Sequence, residues 1–232
     1  TPEDVPAVDD GEGGNSAFGH GTFIAGLIAK VAPDARIMPI RALGPFSGER
    51  TASVIGRVER LDPLHASLMN GISSHVEDYD DTTPKNYSHT SSPVSSALFA
   101  YASANRVRGR DFVEAFVLGF ETASRVGNVV YPAHYDVGWH ITGTIGVFGA
   151  AAAIGKLIGL NEQQMIWALG LAGTQSAGLR EMFGSKGKAF HPGRSAQNGY
   201  AAALLAQAGF TSGERVIEGP RGFAHVTAAT RD

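Results

Sequence analysis

The sequence contains no cysteine. Disulfides, thiolate nucleophiles and cysteine-based zinc sites are therefore excluded. Positive charge is not in excess either: 19 Lys and Arg stand against 22 Asp and Glu, for a formal net charge of −3. Without a Lys/Arg-rich run there is no electrostatic footprint for nucleic acid or for an anionic membrane surface. The opening Thr1-Pro2-Glu3-Asp4 is not a basic region followed by an apolar stretch, so no signal peptide is read and a cytoplasmic location is expected. Long apolar runs are scarce. Ile141 to Leu160, with Gly143, Gly146, Gly149 and Gly155, approaches the roughly 20 residues a spanning helix needs. Lys156 interrupts it, and a buried helix with no membrane partner is the expectation.

What is present is ample for a core: 43% of the 232 residues are hydrophobic,. The first forty or so differ in style from the rest. Asp9 to Gly19 is rich in Gly, Asp and Ser and reads as loop,. Thr22 to Val31 has helical spacing, and Ala35 to Leu43 reads as a short edge strand around Pro39. After Gly44-Pro45 the pattern turns helical. Leu61 to Tyr79 carries apolar residues near a 3.6-residue period. Ser92-Pro93 starts a second helix, and Asp111 begins a third with Phe112, Phe116 and Phe120 on one side. His140 to Leu160 follows, then a helix capped by Asn161 and running through Leu171. Arg194 to Ala208, closed by Gly209, is the last. No strand is read between Arg57 and Ala208. The expected fold is mainly α, a helical domain over residues 44–232 preceded by a short loop–helix–strand segment over residues 1–43.

Gly19-His20-Gly21-Thr22 and its continuation to Ala42 resemble the segment around the catalytic histidine of subtilisin-like serine proteases. In such a triad the histidine is general base to a serine and is oriented by an aspartate. Only 19 residues precede His20, with no aspartate on an upstream strand. Gly173-Thr174-Gln175-Ser176-Ala177 carries one residue too many for the Gly-Thr-Ser-x-Ala serine turn. A subtilisin-like hydrolase is thus the remote alternative.

The densest chemistry lies in Asn70-Gly71-Ile72-Ser73-Ser74-His75-Val76-Glu77-Asp78-Tyr79-Asp80-Asp81-Thr82. Four carboxylates in five residues repel one another unless cations, hydrogen bonds or water intervene. A solvated acidic helix end is the plain reading. Magnesium chelation by Asp78, Asp80 and Asp81 is another, since hard oxygen ligands suit that ion, but no second aspartate-rich motif follows downstream.

The same run resembles the Asn-Gly…His…Asp-Phe-Asp-Asp-Thr signature of the MmgE/PrpD family. His89 falls where that family has a histidine. The resemblance continues in Gly138-Trp139-His140-Ile141-Thr142-Gly143-Thr144, in Gln164 to Gly178, in Lys188-Ala189-Phe190-His191-Pro192-Gly193-Arg194-Ser195-Ala196, and in Glu218-Gly219 with Gly222-Phe223. It spans about residues 43–226. The family comprises 2-methylcitrate dehydratase, cis-aconitate decarboxylase and related isomerases, which have a helical domain and a smaller α+β lid. The resemblance implies a helical domain whose lid is missing beyond Phe223-Ala224-His225, a homodimer, no organic cofactor and no metal. It also implies a lyase or isomerase acting on a small di- or tricarboxylate by proton transfer beside a carboxylate. His89, Asp78 and Lys188 become the catalytic candidates, and Thr82, His140 and Arg194 the substrate-binding ones. His134 and His191 are expected to be structural. A chimeric or truncated fragment that keeps the scaffold without turnover is the alternative.

Overall fold

The computed structural model describes residues 51–228; the loop, helix and strand expected before residue 44 lie outside them. Two short strands open the described chain, β1 (Ala52–Ser53) and β2 (Arg60–Leu61). They pair antiparallel with Ala52 opposite Leu61. This strand pair corrects the expectation of no strand beyond Arg57. It is too short for a hydrophobic period, and side chains hold it: the Arg60 guanidinium donates to Ser53 Oγ at 2.8 Å and to the Thr51 carbonyl at 2.6 Å.

Eight α-helices follow: α1 (Pro63–His75), α2 (Ser91–Ala104), α3 (Gly109–Val130), α4 (Ala133–Val137), α5 (Ile141–Leu157), α6 (Glu162–Gly173), α7 (Gly187–Gln207) and α8 (Phe223–Thr227). The mainly helical expectation stands. Asp62 caps α1, accepting from the Leu64 and His65 amides at 3.1 and 3.2 Å, with Pro63 at the first helical position,. Asn161 and Gln164 form the expected box at the start of α6,. Gly209, at φ +87°, closes α7 as expected,. Three short pieces escaped the sequence reading: α4, α8 and a 3-10 turn at Arg180–Met182. Elements of three to five residues are too short for a period to show. The start of α7 was also read seven residues late. Pro192 lies inside that helix, and tertiary packing offsets the hydrogen bond it forgoes.

Helix α5 is the axis. Its residues from Ile141 to Gly155 are all buried, so it is apolar all round because other helices surround it. One side joins Ala123, Val126, Leu171 and Phe223, and the other joins Val94, Leu98 and Tyr200. Among the described residues no helix is long and apolar enough to cross a membrane.

The crossing that matters most for the site is α1 against α7. A Cβ on Gly71 would stand 2.5 Å from Gly193 Cα, and one on Gly193 would stand 2.5 Å from the Leu68 carbonyl oxygen. Backbone therefore rests on backbone there. Beside it Asn70 ties the strand pair to α1, accepting from the Ile55 amide at 2.8 Å and donating to the Ser53 carbonyl at 3.2 Å. The Asn-Gly pair is thus a packing device.

His134 is structural, as read: fully buried, with Nε2 2.7 Å from Thr144 Oγ1 and Nδ1 3.2 Å from the Thr227 carbonyl oxygen. An Nδ1–H given to that carbonyl leaves Nε2 to accept from the threonine hydroxyl.

Two outcomes are expected. Gly71→Ala will lower unfolding stability by about 1–3 kcal/mol in urea titrations, the usual cost of overpacking. Gly109→Ala, where an added Cβ meets nothing within 4 Å, will not; equal effects of the two would contradict the crossing. The second outcome concerns acid. Burial pulls His134 down to about 4, whereas the unfolded imidazole takes its proton near 6.5. Between those values the unfolded chain holds more protons, so stability falls as pH falls from about 6.5 to 4, by about 3 kcal/mol from this group. His134→Gln should flatten that slope in denaturation series across the window, and an unchanged slope would refute the assignment.

Candidate functional site

The site begins where α1 ends. Asp78 takes a left-handed conformation, φ +55°, which aspartate tolerates better than most residues. Its amide donates to the His75 carbonyl at 3.0 Å. The turn stops the helix at His75 rather than at Tyr79 and folds the acidic run back over the helix end. The carboxylates then diverge. Asp80 meets His75 Nδ1 at 2.8 Å. Asp81 accepts from the Ser91 amide at 3.0 Å and from the Ser91 hydroxyl, satisfying a free donor at the start of α2. Asp78 accepts from Lys188 Nζ, on the first turn of α7, at 2.6 Å.

His89 reaches the cluster from the loop before α2, and its amide donates to Thr142 Oγ1 on α5 at 2.9 Å. Its Nε2 lies 3.7 Å from Asp78 Oδ1 and its Nδ1 3.4 Å from Asp80 Oδ1. His75 packs edge-on to it with ring centroids 4.7 Å apart, and lies 6.0 Å from the His140 ring. His140 precedes α5. Its position is set by an antiparallel bridge in which its amide donates to the Gly178 carbonyl at 3.0 Å, while the Arg180 amide donates to the Gly138 carbonyl at 2.8 Å. Its Nδ1 is 2.8 Å from Nδ1 of His191, on α7. One of these nitrogens must donate and the other accept, so the two rings hold opposite tautomers.

The electrostatics follow from these contacts. The hydrogen bond from Lys188 holds the Asp78 carboxyl below the usual range. Burial resists ionisation of Asp80, but the His75 and His89 imidazoles outweigh it and leave its carboxyl well below the ordinary value. Burial alone would lower His89. The close Asp80 carboxylate on its Nδ1 side and the charges of Asp80 and Asp78 reverse that and raise it. Burial drives His140 the other way, down to about 2, helped by the neighbouring imidazoles and Lys188. His191 is lowered by burial too. One ring thus favours the charged form while two stay neutral, which suits proton transfer near neutrality.

Sequence-predicted residues Asp78, His89, His140 and Lys188 are brought together. Thr82 is exposed, and no hydrogen bond links it to the cluster among the described residues. Arg194 is exposed on α7 and its guanidinium donates to Gln197 Oε1 at 2.5 Å. His191, expected to be structural, joins the site. His75 and Asp80 were missed as site residues although they sit in the acidic run. Their signal was the histidine three residues before Asp78, but which carboxylate would turn inward depended on the left-handed bend. An open cleft of about 400 Å³ that includes Arg106, Asp111, Glu114 and Lys156 shares no residue with the cluster.

The donor set of the cluster could be shared with a metal ion only at the expense of its present partners. His75, Asp78, Asp80 and His89 offer ligand atoms within 4.8 Å of one another. The Lys188 ammonium already sits against Asp78, and Asp80 is engaged by imidazole nitrogens, so a cation would have to displace these partners. The magnesium reading of Asp78, Asp80 and Asp81 is not supported, because Asp81 turns to Ser91 instead of converging with the others. Ser176, in the near match to a protease serine turn, donates to the Thr144 carbonyl at 2.5 Å, and His20 lies outside the described residues.

Comparison with known proteins places this geometry in context. A cis-aconitate decarboxylase-like protein of Aspergillus oryzae is 34% identical over 187 residues, which cover 77% of this chain and 39% of that protein. Cis-aconitate decarboxylase of Aspergillus terreus is 31% identical over 186 residues, covering 77% and 38%. The human cis-aconitate decarboxylase is 29% identical over 184 residues, with the same coverage. The chain therefore spans about two fifths of the length of the curated relatives it matches. The family model for the MmgE/PrpD N-terminal domain matches residues 21–232. That match begins inside the stretch that resembles subtilisin-like proteases, and the protease resemblance finds no support in the relatives named here. With the family model covering most of its length, the chain belongs to the MmgE/PrpD family.

Proposed function

We propose that this chain carries the acid–base part of a lyase site for a small di- or tricarboxylic acid, with cis-aconitate the first substrate to test. The observation that carries the reading is the convergence of Asp78, His89, His140 and Lys188 from four separate segments onto one cluster. The relatives named as cis-aconitate decarboxylases support the reaction class.

The chemistry follows from the charges. A polycarboxylate brings two or three negative charges, and the Lys188 ammonium meets one of them by a charge-assisted hydrogen bond. Lys188 is paired with Asp78, so an arriving carboxylate competes with Asp78 for the same ammonium. Neutral His140 and His191 can orient the remaining oxygens without adding charge. In a decarboxylation the carbon–carbon bond to the departing CO₂ breaks. Its electron pair stays on the adjoining carbon, which must then receive a proton. His89, whose proton affinity Asp80 and Asp78 raise, is placed to give it and to recover one from water. In a dehydration a neutral imidazole takes the proton from carbon, His89 in its charged form gives one to the departing hydroxyl, and water leaves as the double bond forms; in an epimerisation the proton taken from one face of the carbon is replaced on the other.

The test is proton NMR of the purified chain in D₂O with cis-aconitate, citrate and 2-methylcitrate. Turnover or deuterium incorporation with one of them is expected, falling by about 100-fold or more in His89→Gln and being lost in Lys188→Ala. If no acid reacts or exchanges with the unaltered chain, catalysis by this chain is refuted and the scaffold-only alternative takes its place.

A further inference from the structure

Two buried nitrogens in the cluster lack a hydrogen-bond partner, His75 Nε2 and His89 Nδ1. Orphaned polar atoms of this kind call for an explanation. The His75 side chain is fully buried and the Asp80 side chain is 8% exposed, so neither is open to a ligand as His89 is. Both flank His89: the His75 ring packs edge-on against it and Asp80 lies on its Nδ1 side.

The contacts form a symmetrical pattern. One carboxylate, Asp80, lies 2.8 Å from Nδ1 of His75 and 3.4 Å from Nδ1 of His89. One oxygen of Asp78 lies 3.8 Å from Nε2 of His75 and 3.7 Å from Nε2 of His89. Asp80 is thus on the Nδ1 side of both rings, and Asp78 on the Nε2 side. A carboxylate accepts only, so each ring in contact with Asp80 must present Nδ1–H to it. The neutral ring then leaves Nε2 bare. The 3.4 Å approach is longer than a settled hydrogen bond, and contacts of this kind tighten when a site is filled.

We propose that Asp80 and His75 are a positioning pair for His89: the carboxylate fixes both imidazoles as Nδ1–H tautomers in their neutral forms, and His75, wedged edge-on against His89, keeps the shared carboxylate on the Nδ1 side of His89 and Asp78 on its Nε2 side. Neither residue needs to touch the substrate. The ionisable groups that face His89 are Asp78 and Asp80 from the acidic run, His75 from α1, His140 before α5 and Lys188 from α7. Of these, Asp80 alone approaches Nδ1.

The inference uses the proposed acid–base role of His89, but its test does not require turnover. Long-range ¹H–¹⁵N NMR of the unaltered chain, at a pH where the rings are neutral, should report both as Nδ1–H tautomers, and either ring reading as Nε2–H overturns the proposal. In Asp80→Asn the His89 signals should move towards the Nε2–H form and its titration midpoint should fall. His75→Asn, whose amide N–H can stand in for Nδ1–H, should leave both close to the unaltered chain, while His75→Leu should move them part of the way. An unchanged tautomer and midpoint in folded Asp80→Asn, or in His75→Leu if the first variant does not fold, overturns it. Where turnover is measurable, kcat in Asp80→Asn should drop by about tenfold or more with KM nearly unchanged, as for a lost orienting carboxylate. Tautomers as expected in a chain without turnover would leave the positioning pair standing and remove only the proposed reaction.

Discussion

The site depends on a single backbone-on-backbone contact. Where α1 crosses α7, Gly71 and Gly193 leave no room for a side chain on either helix. That closeness is what lets Lys188, five residues before Gly193 on α7, reach Asp78, three residues past the end of α1. His191 lies between them on the same helix and meets His140. Larger residues at the crossing would part the helices, and the ammonium and the carboxylate would be separated with them. The rest of the cluster is fastened to the same frame: Asn70 binds the strand pair to α1, and Thr142 on α5 receives the His89 amide.

Burying several ionisable groups together is costly unless each finds its counterpart. Here the counterparts are allotted one by one. Asp78 has Lys188, Asp80 has His75 and His89, and Asp81 has Ser91. His140 and His191 share one proton between facing nitrogens and stay neutral. Three of the four carboxylates of the acidic run, which would repel one another in an extended chain, are therefore spread over four different partners. That division separates it from a chelating cluster, in which the carboxylates would point at a common centre.

The pKa directions express the same division of labour. His89 lies beside two carboxylates and shifts up, while His140 is buried among other imidazoles with Lys188 nearby and shifts down. Opposite shifts in neighbouring groups are how a fold assigns acid and spectator roles to identical side chains. His134 makes the contrast clearer, since it is as buried as any of them but serves only to join Thr144 and Thr227.

Much of this was legible in the sequence. The helical class followed from the 3.6-residue spacing, the start of α6 from Asn161, and the buried character of α5 from an apolar stretch interrupted by Lys156. The motif blocks pointed to Asp78, His89, His140 and Lys188, which the fold does bring together. Other features were beyond it. The left-handed turn at Asp78 ends α1 early and chooses Asp80 as the carboxylate that turns inward. The extension of α7 through Pro192 depends on its packing against α1, and the pairing of His191 with His140 joins residues 51 positions apart. Composition and periodicity act along the chain, so the sequence by itself determined which segments become helices and which side chains could do chemistry. Which of those side chains meet, and with what proton affinity, was decided by the tertiary structure alone, because distance, burial and opposing charge exist only once the helices are packed.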